Sequence, residues 1–117
     1  MKRSLGQRPE RHGQALSIYR ELGERLGEAN SLGNLGMVQN ELCNYAAARE
    51  LYAQTLSIFR ELGDRHSEAL TLSNLGAVEH DQGHYAAARG LLDASLALFR
   101  EVGDQSGEAR ALTILAN

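Results

Sequence analysis

Residues 74–89, NLGAVEHDQGHYAAAR, restate residues 34–49, NLGMVQNELCNYAAAR, at an offset of 40, and this recurrence constrains the fold more than anything else in the chain. Laying residues 21–60 over 61–100 gives 20 identical positions out of 40. Most of the remainder are like for like, as at Glu24/Asp64, Ser31/Thr71 and Ile58/Leu98. Self-similarity at a fixed period of this size marks a repeat architecture, in which each copy is one supersecondary unit that buries its apolar face against its neighbours.

The apolar spacing within each copy is helical. QALSIYRELG at 14–23, QTLSIFRELG at 54–63 and ASLALFREVG at 94–103 are copies of one segment, and Leu16, Tyr19 and Leu22 stand at the three-residue step of a buried helical stripe. Gly23, Gly63 and Gly103 follow the last apolar residue of each, where a left-handed residue ends a helix at little steric cost. The acidic residues Glu24, Asp64 and Asp104, with Glu28, Glu68 and Glu108 four further on, suit the positive end of a new helix. Ala29, Leu32, Leu35 and Gly36, repeated as Ala69, Leu72, Leu75 and Gly76, form the apolar face of that helix. The following helices carry Tyr45, Ala48, Tyr52, Thr55, Phe59 and Leu62, and again Tyr85, Ala88, Leu92, Ser95, Phe99 and Val102, in alternating steps of four and three that share one face. Gly36 is expected opposite Ala48, and Gly76 opposite Ala88, small against small. Cys43 stands where the second copy has Gly83, so the turn at 42–44 is expected to be the less regular one, since an L-residue at positive φ costs about 1 kcal/mol.

These signals predict helices at about 8–22, 26–41, 45–62, 66–82, 85–102 and 105–116 with no strand. The fold class is all-α, a solenoid of antiparallel helix pairs. Residues 1–13 fail to match their partners at 41–53 and read as a basic, partly disordered segment, although Pro9 is tolerable in a helix's first turn. The repeat domain, 14–117, divides into a half repeat at 14–22, repeats at 23–62 and 63–102, and a half repeat at 103–117.

Charge and cysteine content narrow the function. Lys2, Arg3, Arg8 and Arg11 lie in the first twelve residues against Glu10, leaving 8 basic and 14 acidic residues, a balance of −6, for the rest. A net acidic repeat region is a poor phosphate binder, so no nucleic acid is expected as partner. The basic start has no aromatic interleaving and no apolar face, which argues against a membrane or nucleic-acid arm. Cys43 has no second cysteine to pair with. MKRSLGQRP lacks the apolar core of a secretory signal, and no run is long enough to span a bilayer, so the expected location is cytoplasmic.

Leu-x-x-Leu-Gly on the first helix (Leu32, Leu35, Gly36; Leu72, Leu75, Gly76), Gly83-x-Tyr85 at the turn, Tyr45 at the first copy's turn, and Ala48, Tyr52 and Ala88 on the second helix together resemble the tetratricopeptide repeat. Cys43 for the turn Gly, Leu92 for the second-helix aromatic, Gln39 and Glu79 where the family has Tyr, and the lack of a closing Pro depart from its pattern. The family's period is 34 residues, so the period here is longer by about six. Long Asn-Leu-Gly repeats are similar to those of kinesin light chains, spindle-orientation adaptors and bacterial regulatory arrays. The resemblance implies a right-handed superhelix of helix pairs whose first helices line a concave groove for peptide segments.

On that geometry the groove positions are Asn30/Leu70/Arg110, Gly33/Ser73/Thr113, Asn34/Asn74/Ile114 and Met37/Ala77/Asn117, with Asn40, Glu41, His80 and Asp81 at the rim. An Asn amide offers both donor and acceptor, so Asn34 and Asn74, one repeat apart, can hold a peptide backbone without reading its side chains. The plainer alternative is that each bonds a neighbouring helix end. A basic peptide is expected to be preferred, given the acidic balance. His80, Asp81 and His84 straddle a turn and read as surface residues rather than metal ligands, and Cys43 as inert. No nucleophile, base and orienter converge, so neither catalysis nor a cofactor is expected.

The order of helices starts with a second helix and ends with a first, so both ends look unfinished. Leu16 and Tyr19 at one end and Leu112 and Leu115 at the other are expected to lie on apolar end faces. Burying such faces at about 25 cal/mol per Å² favours association. The alternative function is therefore a structural self-assembly module, with a closed homodimer as the expected form and end-to-end assembly as the open one, or a fragment of a larger regulator in which the same end faces meet the next repeat.

Overall fold

A computed structural model describes residues 9–116. Among them run six helices and no strand: α1 (Pro9–Leu22), α2 (Arg25–Glu41), α3 (Tyr45–Leu62), α4 (Arg65–Asp81), α5 (Tyr85–Val102) and α6 (Gln105–Ala116). Each boundary falls within a residue of the position predicted by apolar spacing and glycine stops. Because α1 begins at Pro9, residues 9–13 belong to a helix. The basic residues Lys2, Arg3 and Arg8, and Asn117, lie outside the described residues. The chain forms two compact units, Met1–Ile58 and Phe59–Asn117, which part inside α3 rather than at a repeat boundary.

The junctions between α1 and α2, α3 and α4, and α5 and α6 are built alike. Gly23, Gly63 and Gly103 have φ of 70°, 71° and 77°, so each ends its helix in the left-handed region as expected. At the second junction Gly63 N–H donates to Arg60 O at 3.2 Å and Asp64 N–H to Phe59 O at 3.0 Å, satisfying carbonyls that a helix end leaves open. The acidic residue then caps the next helix. Asp64 Oδ1 accepts from Ser67 N–H at 3.1 Å and Asp104 Oδ1 from Gly107 N–H at 2.9 Å, whereas Glu24 makes no side-chain cap. Sequence spacing alone does not announce a further tie across each junction. Arg20, Arg60 and Arg100 donate from Nε to Oε2 of Glu28, Glu68 and Glu108 at 3.2, 2.9 and 2.9 Å.

The turns between α2 and α3 and between α4 and α5 correct one expectation. Cys43 has φ 62° and Gly83 φ 84°, yet the two turns carry the same bonds. Cys43 N–H reaches Asn40 O at 2.9 Å and Asn44 N–H reaches Gln39 O at 2.8 Å, matched by Gly83 to His80 O at 3.0 Å and His84 to Glu79 O at 2.8 Å. The turn at 42–44 is therefore as regular as its partner. The two backbone bonds, with Asn44 Nδ2 donating to Gln39 Oε1 at 2.8 Å, hold the cysteine in a conformation that its Cβ disfavours.

Packing within each unit adds what spacing does not supply. A Cβ on Gly36 would stand 3.1 Å from the Tyr52 ring, and one on Gly76 would stand 2.7 Å from Leu92 Cγ. These glycines make room for Tyr52 and Leu92 on the facing helix, on which Ala48 and Ala88 are buried as well. The same device recurs at Gly27, beneath the Tyr19 ring, and at Gly107, beneath Phe99. In the first unit Leu32, Val38, Tyr52, Leu56 and Ile58 fill the core, and in the second Leu72, Val78, Leu92, Leu98 and Phe99 do so. Burial pushes the Tyr52 phenol up to about 12, and the Glu41 carboxylate adds to the shift. Leu22, Leu62, Val102 and Tyr85, placed on the buried stripes by their spacing, are exposed instead. Each sits in a terminal helical turn, where less of the facing helix is available to cover it.

Candidate peptide-binding face

Asn30, Asn34, Met37 and Glu41 follow steps of four, three and four along α2, and all four are exposed. That spacing puts them on one helix face, opposite the face that buries Ala29, Leu32 and Gly36. Asn40 is half-buried, and its Oδ1 is enclosed without a hydrogen-bond partner.

In the second unit α4 carries Asn74 and Asp81 exposed, with Leu70, Ser73, Ala77 and His80 half-buried. On α6 Arg110 and Thr113 are exposed and Ile114 is half-buried. The Thr113 hydroxyl donates to Ala109 O at 2.8 Å, so it is engaged within its own helix. Arg110 lends positive charge to Asp104, whose carboxyl is held below its ordinary range first by the Gly107 N–H and then by His66. The side chains of Asn34 and Asn74 make no hydrogen bond among the described residues.

Beside the predicted rim residues His80 and Asp81, the end of α4 and the start of α5 carry further acidic and imidazole groups. His84 Nδ1 and Glu79 Oε1 are 2.8 Å apart. His80 packs edge-on against Tyr85, with ring centroids 5.2 Å apart, while Asp81 faces solvent. Among the described residues no group of three or more His, Cys, Asp or Glu side chains is placed to hold a metal ion. Cys43 is exposed at the tip of its turn.

The residues predicted for the end faces part company. Leu16 is buried and Tyr19 is half-buried against Gly27, so neither offers open apolar surface. Ile18, Leu22 and Leu26 are the exposed apolar side chains nearby. At the other end Leu112 is 43% exposed, where Leu32 and Leu72 at the same register are 1% and 4% exposed. Ala109 is likewise exposed where Ala29 and Ala69 are buried, and Leu115 is half-buried.

Sequence reasoning missed Arg89, which recurs at the register of Arg49 in YAAAR and lines a cavity beside His80. An arginine held at one register in an otherwise apolar helix start is the signal that could have found it. Among the described residues no helix is long and apolar enough to cross a membrane.

Two family models described as tetratricopeptide repeat match the chain, over residues 10–61 and 69–102. No curated protein matched the chain. Repeats of this kind are generally protein-interaction scaffolds and typically lack catalytic activity. With its paired helices, glycine stops and small-to-large packing at the 40-residue register, the chain belongs to the tetratricopeptide repeat family.

Proposed function

We propose that this chain is a non-enzymatic, cytoplasmic scaffold that captures protein or peptide segments on the face of α2 bearing Asn34 in the first unit and on the faces of α4 and α6, with Asn74, in the second. The observation that carries the reading is that two exposed amides at one register are unengaged by the protein's own backbone. Each such amide can both donate to and accept from the backbone of an extended segment. The repeat region's balance of −6, with Glu41 and Asp81 exposed beside the amides, favours basic segments and disfavours nucleic acid.

A peptide array identifies ligands, and the double variant Asn34→Ala, Asn74→Ala tests the site. Losing both amides should weaken capture by roughly tenfold or more, at about 1 kcal/mol per net hydrogen bond, with an unchanged helical spectrum. Undiminished binding by the double variant overturns the reading. Raising salt should weaken the preferred basic ligands most.

A second reading rests on the exposure of Ala109 and Leu112 at positions buried in the other copies. In it the α6 face associates with a second copy, as a homodimer or end to end. Sedimentation in the tens of micromolar range should show mass above the monomer, reversed by Leu112→Glu with Leu115→Glu. A strict monomer refutes it.

A further inference from the structure

The second unit contains a cavity of about 100 Å³ lined by His80, Tyr85, Ala88, Arg89, Leu92, Ile114 and Leu115. Its floor is apolar, since Ala88 and Leu92 are buried and Ile114 and Leu115 are half-buried. Its polar groups come from the end of α4 and the start of α5. His80 Nε2 is enclosed and has no hydrogen-bond partner. The Arg89 guanidinium is exposed and, among the described residues, has no ion pair. Tyr85 stands over the His80 ring edge-on and is 63% exposed.

A buried polar atom without a partner is costly in a native structure and calls for a specific explanation. Here the orphan recurs by register, because Asn40, forty residues before His80, also leaves its Oδ1 enclosed and unbonded. The repeat therefore keeps a polar atom at this position without giving it a protein partner. The cavity lies between the roughly 30 Å³ share of one water and the roughly 150 Å³ cavity that admits benzene. That range suits a short aliphatic stem ending in a polar head. No acidic side chain lines the cavity, whereas a guanidinium offers a planar fork of donors matched to a carboxylate.

We infer that the cavity binds a carboxylate carried on a short aliphatic stem, the stem lying against Leu92, Ile114 and Leu115 and the head group reaching Arg89 and His80 Nε2. One carboxylate oxygen accepts from the guanidinium, and the other, once the His80 ring turns Nε2 toward the cavity, accepts from Nε2–H in the tautomer protonated there. A glutamate side chain of a bound partner and a free short-chain acid share this chemistry as sources of the head group. The inference goes beyond the amide-bearing face and does not rest on it.

The full chain is titrated with propionate and, separately, with propionamide, following the His80 ring and the Ile114 and Leu115 methyl signals by NMR. So few atoms permit only a weak, millimolar complex. Saturable shifts with propionate and none with propionamide are expected. Arg89→Gln should weaken the propionate response by roughly tenfold, as expected for a charge-assisted bond, and His80→Phe should weaken it while keeping the ring contact with Tyr85. Arg89 is exposed, so its variant should melt like the parent, and the melt is recorded for both. Equal shifts with the acid and the amide, no shift with either, or an unaltered response in folded Arg89→Gln would overturn the inference. Paired peptides that differ only by Glu or Gln identify the source. A Glu preference lost in Arg89→Gln assigns the site to a partner side chain, and propionate binding without that preference assigns it to a free acid. The Asn34, Asn74 double variant should leave the propionate response unchanged, so failure of the peptide face and failure of this cavity are told apart.

Discussion

The ring of Phe99 occupies the space that a Cβ on Gly107 would need. Tyr19 stands in the same relation to Gly27, two glycine junctions earlier, so in both places the aromatic at the end of one helix lies on a glycine in the first turn of the next. Replacing Gly107 with Ala forces the ring or α6 to move and should destabilise by about 1–3 kcal/mol, the usual cost of overpacking. Gly90, in the middle of α5, meets nothing within 4 Å, so Gly90→Ala should stabilise by about 0.5–1 kcal/mol through helix propensity alone. Chemical denaturation of the two variants should give shifts of opposite sign.

Most of this fold was legible in the chain because glycine stops and helical spacing are local signals. Six helices follow from them with boundaries good to a residue. What spacing does not supply is the partner across the interface. Gly36 and Ala48 share a repeat and face each other's helices, but the axial offset that sets Gly36 against Tyr52 depends on how side chains interdigitate. Leu22 and Leu62 fit the stripe by period and lose it by position, since the chain turns away beyond them. The candidate face was legible as a register, Asn34 with Asn74, whereas the His80 cavity was not, because it needs α4, α5 and α6 together. The Arg–Glu ties were within reach, as an offset of eight residues that recurs at all three junctions.

Cys43 holds a φ of 62°, which glycine adopts without the steric cost borne by an L-residue. Cys43→Gly should raise stability by about 1 kcal/mol, whereas Gly83→Ala should lower it by a similar amount. Thermal melts of both check the pair.

Glu68 is buried, while its partner Arg60 remains more than half exposed. Glu68→Gln replaces that enclosed charged acceptor with a weaker neutral one and should cost about 1 kcal/mol, with little dependence on salt. Glu101 meets Arg65 at 3.0 Å at the surface, and Glu101→Gln should have a smaller effect that fades as salt rises. Denaturation at two ionic strengths separates them.

Asp104 accepts from the Gly107 N–H and from His66, and these hold its carboxyl below the ordinary value of 3.8. A carboxylate with a depressed folded pKa contributes stability that is present above its unfolded pKa and lost as pH falls through the folded one. The melting temperature should therefore drop as pH falls below about 3.8. Asp104→Asn, which keeps an acceptor for the cap but cannot titrate, should flatten that acid limb. An identical acid limb in the variant would show that other carboxylates govern it.

Each of the three glycine junctions is closed by bonds between residues no more than eight apart, from Arg20 to Glu28, Arg60 to Glu68 and Arg100 to Glu108. Loops this short cost little entropy to close. A junction can therefore form before any distant part of the chain has been found, and nucleation is open to several places along the sequence rather than one. Chains dominated by such near-neighbour pairings refold within microseconds to milliseconds. A lesion at one junction should then slow refolding only modestly, since the search for structure can begin at another.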